Sequence, residues 1–275
     1  MQRDEARMVD SLALPTDNAA SFPWRSPMRM LLRIVIFLAL APVAYAASGN
    51  YLYRAQPVQA TPGKFVELLD LLGRESAVIA SGGDAAPFIM RHSQGDHWDL
   101  MLIYPMGSYA EYYRPERIAN RKRAEASAVE LTARIQQDIA WQEDVFVFGP
   151  PLDAVRDAFT SAGFFHIEMI HALPGKQLEL VKEREMESAY GKFLGRPELF
   201  IFVRDQGAAW DVFSIDFYRD IKHYAESADI PADKQLAAAH AAGYSSPDQI
   251  GPYFRSVLAY HHDTLAVALA PPAKK

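Results

Sequence analysis

His166 and Glu168 are the two residues whose spacing best suits acid-base chemistry. Two apart on a strand, they share a face. A carboxylate placed there can orient the imidazole and raise its basicity. Arg54 and Gln56 sit on the matching face of an earlier strand, and Tyr104, Ser214 and Asp216 on that face of two others. With Trp98 and Trp210 as walls, the set has the mixture expected around a small, largely apolar molecule. Catalysis would fall to His166 and Glu168, and ligand binding to Arg54, Gln56, Trp98, Tyr104, Trp210, Ser214 and Asp216. The competing reading makes Arg54, Glu168 and Asp216 a buried ion-pair network that satisfies only itself.

Other chemistries find less to stand on. His92 and His97 flank a turn containing Asp96, and His261-His262-Asp263 reads as the end of the last helix, where adjacent side chains point about 100° apart. Neither group has a recognised coordination spacing, so no metal is expected. The absence of cysteine excludes disulfides, thiolate metal sites and a cysteine nucleophile. There is no Gly-x-Ser-x-Gly, phosphate-cradling loop or dinucleotide fingerprint. A net charge of -6 argues against a nucleic-acid partner, and the basic run at Arg114, Arg117, Arg121, Lys122 and Arg123 is broken by Glu116 and Glu125.

The elements that must position these residues occur twice. Residues 52–112 overlie residues 164–224 at an offset of 112 without a gap, and 18 of the 61 pairs are identical. Chance gives roughly a twentieth to a fifteenth of positions. Shared blocks include Pro62-Gly63-Lys64 with Pro174-Gly175-Lys176, Glu75-Ser76-Ala77 with Glu187-Ser188-Ala189, and Trp98-Asp99 with Trp210-Asp211. Each half reads as strand, helix, strand, strand, helix, strand. A Pro-Gly turn opens an amphipathic helix carrying Phe65, Leu68, Leu69 and Leu72, and Ser93-Gln94-Gly95-Asp96 turns a hairpin. Residues 109–142 read as one long helix, residues 246–261 as another, and residues 153–162 as a helical linker.

A strand running into Pro-Gly-Lys and a helix, then a hairpin with Trp on its second strand, resembles the dimeric α/β-barrel superfamily, most closely its NIPSNAP and EthD types. The resemblance spans residues 52–269. It implies an α+β fold in which two ferredoxin-like repeats pair their antiparallel sheets into one intrachain barrel with helices outside. On this reading the polar strand face lines a barrel cavity, because the helices need the apolar one. The repeated Trp would fill the barrel end and the repeated Asp cap the hairpin. Members include cofactor-independent monooxygenases, an isomerase and haem proteins, so the resemblance implies ligand binding without naming a reaction or cofactor. A monooxygenase or isomerase using His166 and Glu168 is one alternative. A haem protein with a ligand among His166, His223 and His261 is another. A homodimer is a partner the superfamily allows.

The first residues read as targeting. Residues 1–27 read as a non-native segment ahead of a start at Met28 or Met30, or else as a disordered leader, and residues 28–46 as a signal peptide, with Ala44-Tyr45-Ala46 before a cleavage site. The apolar run of residues 34–47 is shorter than the roughly 20 residues a spanning helix needs, so no stable membrane span is expected. Export to the periplasm or medium follows. Residues 47–149 and 163–275 are the repeats and residues 150–162 the linker.

Overall fold

A computed structural model describes residues 49–269. The leader, the signal peptide and its cleavage site lie outside the described residues. The first repeat comprises β1 (Tyr51–Ala60), α1 (Phe65–Ser81), β2 (Phe88–Gln94), β3 (Leu100–Gly107), α2 (Tyr109–Tyr112), α3 (Pro115–Ala126), α4 (Val129–Asp138), β4 (Ile139–Gln142) and β5 (Val145–Gly149). Helix α5 (Leu152–Ser161) leads into β6 (Phe164–Ala172), α6 (Gln177–Phe193), β7 (Phe200–Gln206), β8 (Val212–Tyr218), α7 (Ile221–Ala225), α8 (Ala232–Ala242), α9 (Ile250–Val257) and β9 (Leu258–Ala268).

Within each half the strands order as β5-β1-β3-β2 and β9-β6-β8-β7. The edges of one half then pair with those of the other, β2 with β9 and β7 with β5, all antiparallel. The result is a closed eight-stranded barrel with helices outside, as the duplication predicts, and β4 is an extra strand on β1. Repeated glycines permit the closure. Gly95 and Gly207 both have positive φ, and a Cβ on either would lie 2.1 Å from the Asp263 carbonyl oxygen or 2.6 Å from that of Asp144. Each hairpin turn therefore abuts a strand of the opposite half, where only glycine fits.

Two helical readings are corrected. Residues 109–142 form three helices and a strand: Pro115 restarts the helix where its missing N–H costs nothing, and residues 139–142 pair with β1. Helix α9 stops at Val257, and His261, His262 and Asp263 lie on β9, opposite Ile170, Met169 and Glu168. Long-range pairing along β6 overrides local helical propensity there.

The face assignment is also corrected. The barrel interior is packed with Tyr53, Ala55, Met101, Ile103, Phe165, Ile167, Phe202, Phe213 and Ile215, alongside Trp98 and Trp210. Phe159 of α5 enters the same core, its ring stacked 4.6 Å from Phe88 and edge-on to Phe217 at 5.1 Å. Strands and α5 enclose this space, so a polar group there would lack water. The helix-covered face instead carries two smaller apolar clusters, one of β1 and β3 with α1 and α4, the other of β6 to β8 with α6 and α9. The even-numbered polar residues share that outer face.

Candidate functional site

Arg54, Gln56, Tyr104, His166, Glu168, Ser214 and Asp216 therefore do not line a barrel cavity; they lie between the sheet and the outer helices. Trp98 and Trp210, 1% and 7% exposed, lie on the other side of the wall, in the barrel core. The Asp beside each Trp reaches beyond its hairpin, although Asp211 Oδ1 also accepts from Arg204 across its own hairpin at 2.7 Å. Asp99 Oδ2 accepts from the backbone N–H of Ala60 at 2.8 Å and Asp211 Oδ2 from that of Ala172 at 2.9 Å, so each pins the end of the neighbouring strand.

Arg54 and Tyr104 line one cavity of about 240 Å³ and His166, Glu168 and Asp216 another, one per half, with Gln56 and Ser214 behind them, bonded to Tyr104 and Glu168. The 112-residue offset relates them: Arg54 corresponds to His166, Glu75 to Glu187, Tyr104 to Asp216 and Tyr112 to Tyr224. All eight line their respective cavities.

In the first half, the Arg54 guanidinium lies 4.1 Å above the Tyr104 ring and its Nη1 lies 3.2 Å from Asp144. The Tyr104 hydroxyl donates to Gln56 Oε1 at 3.2 Å, and Gln56 Nε2 donates to Asp144 Oδ1 at 3.0 Å. Arg121 covers Tyr112 at 3.9 Å while reaching Asp84 at 3.3 Å. Apolar walls come from Val78, Ile79, Pro105, Ala128 and Leu131. Glu75 projects into this space from α1. Among the described residues it makes no hydrogen bond or ion pair, and burial pushes its pKa up despite the charge of Arg54. Sequence reading missed Glu75, although its repetition as Glu187 marked the position.

The second half is filled with charge. Arg184, fully buried on α6, contacts Glu168 and Glu183 at 2.6 Å each, and also Glu187. Its counterpart in the first half is Leu72, a core residue. His166 is clasped on both sides, its Nδ1 3.3 Å from Asp216 and its Nε2 3.3 Å from Asp263. Burial alone would lower its pKa, but these carboxylates outweigh it and push the value up to about 10. Burial raises Glu168, against the pull of Arg184 and His166. Ser214 donates to Glu168 at 3.4 Å. The ion network of Arg54, Glu168 and Asp216 weighed from the sequence does not form: Arg54 pairs with Asp144 in the first half, and Arg184 and His166 take Glu168 and Asp216 in the second.

No family model matches the sequence, and no curated protein matches it. Solved structures do. An anthrone oxidase-like protein aligns over 82% of this chain and 93% of its own, with a TM-score of 0.51 and 10% identity. The fold is that of the dimeric α/β-barrel proteins. A candidate monooxygenase from Fusobacterium nucleatum (82% and 95% covered, 13% identity, TM-score 0.46) and a haem-binding protein from Thermus thermophilus (82% and 93%, 12%, 0.40) also align. Among the described residues no helix is long and apolar enough to cross a membrane.

Proposed function

We propose that the chain binds a small, largely apolar molecule in the first-half cavity, between the sheet and helices α1, α3 and α4, and holds it by one oxygen-bearing group. The supporting observation is the contrast between Glu75 and Glu187. The duplication kept the carboxyl in both halves, but Arg184 occupies it in one, whereas Leu72 leaves it free in the other. A half-buried carboxyl with a raised pKa and no protein partner is suited to exchange a proton or hydrogen bond with a ligand hydroxyl or carbonyl. Arg54 supplies the opposing positive charge. Within the superfamily, the Pro-Gly-Lys entry to α1 supports placing the chain nearest the NIPSNAP and EthD types.

The neighbour described as anthrone oxidase-like makes small phenols and aryl ketones the first compounds to assay. A panel of these should raise the melting temperature of wild-type protein. Glu75→Gln and Arg54→Met should each weaken binding by tenfold or more, and binding unchanged in both would exclude this cavity. Proton transfer by His166 and Glu168 has less support, since carboxylates take both ring nitrogens and Arg184 takes Glu168. Haem has less support: of the histidines that could ligate it, His166 is clasped at both ring nitrogens, His261 Nε2 lies 3.1 Å from Asp263, and His223 Nδ1 accepts from the Arg219 backbone N–H at 3.2 Å. We also propose export with cleavage after Ala46; N-terminal sequencing should find Ala47, and an intact Met1 terminus in the cytoplasm would exclude it.

A further inference from the structure

Glu168 and Asp263 face each other across β6 and β9, and His261, two residues before Asp263, shares their side of the sheet. The first half has the same pair of positions in Gln56 and Asp144, and there the amide of Gln56 donates directly to the carboxylate at 3.0 Å. The second half has a carboxylate in place of that amide. Two adjacent carboxylates repel unless a proton or a positive group stands between them. Arg184, shared with Glu183 and Glu187, is bonded to Glu168, and His166 to Asp263 Oδ1, so neither is bonded to both carboxylates.

We propose that Glu168, His261 and Asp263 bind one divalent transition-metal ion. Each offers a ligand atom within 4.8 Å of the other two. The atoms that would not ligate are already held. Glu168 Oε2 is fixed by Arg184 at 2.6 Å and Ser214 at 3.4 Å, and among the described residues its second oxygen makes no hydrogen bond. His166 holds Asp263 Oδ1 at 3.3 Å, leaving Oδ2 opposite His261 Nε2 at 3.1 Å. The His261 ring stands edge-on to Phe254 at 5.2 Å. Ligands oriented by hydrogen bonds to their remaining atoms are what a metal site requires. One imidazole with two carboxylates suits manganese, iron, cobalt or zinc, whereas calcium and magnesium favour oxygen alone. Asp263 is half-exposed and opens the site to solvent.

The test uses full-length protein stripped with EDTA and titrated with Co²⁺ by absorption and Zn²⁺ by calorimetry. One equivalent should bind, with d–d bands showing nitrogen and oxygen ligation. His261→Ala and Asp263→Asn should each weaken binding at least tenfold while retaining wild-type circular dichroism. His262→Ala, which alters the neighbouring histidine paired with Asp96, should bind as wild type. No saturable binding below millimolar metal would overturn the site. Binding that survives His261→Ala, or that is lost with His262→Ala, would overturn it equally.

Discussion

Glu75 is the residue on which the ligand reading turns, and its protonation gives a direct check. Because burial raises its pKa, the folded chain holds this proton more tightly than the unfolded chain. That contribution is fully present below the ordinary carboxylate value and is lost as pH rises through the raised one. Glu75→Gln, which does not ionise, should therefore unfold later than wild type at pH 7 and differ little at pH 4; a gain equally large at both would contradict the assignment. The repeated tryptophans test packing. Trp98→Ala and Trp210→Ala should each cost about 3–5 kcal/mol in denaturant unfolding, as for other large aromatics removed from a core. Their place in the core was legible from their duplication. The face of His166 and Arg54 was not, because strand alternation separates two faces without saying which one the helices cover, and here both carry apolar residues.

Among the elements, the hairpins show what the repeated glycines do. Gly207→Ala should lower stability by at least about 1–2 kcal/mol, the cost of a left-handed conformation for an L-residue, with the clash against Asp144 adding to it. A variant as stable as wild type in urea would mean that the hairpin does not seat against β5. Strand and helix order in both repeats could be read from periodicity and the Pro-Gly turns. Residues 258–263 could not: Leu258, Tyr260 and His261 form strand only because β6 lies beside them, a contact made over some ninety positions of sequence. Reading those residues as helix placed His261 away from Glu168 and hid the triad.

At the scale of the molecule, duplication supplies within one chain the two sheets that a barrel needs. Each half alone would expose two unpaired edges, β2 with β5 or β7 with β9. Residues 49–150 expressed alone should therefore run as a dimer or aggregate in light-scattering chromatography, and a stable monomer would show that closure is dispensable. Closure also separates the packed interior from the two related outer cavities, and of those two the first-half cavity holds a carboxyl, Glu75, that makes no hydrogen bond or ion pair among the described residues. A crystal structure of the full chain soaked with a phenol or aryl ketone that raises its melting temperature tests this most directly. The account predicts ligand density between Glu75 and Arg54 beneath α1; density inside the barrel or beside His166, with the first-half cavity clear, would contradict it.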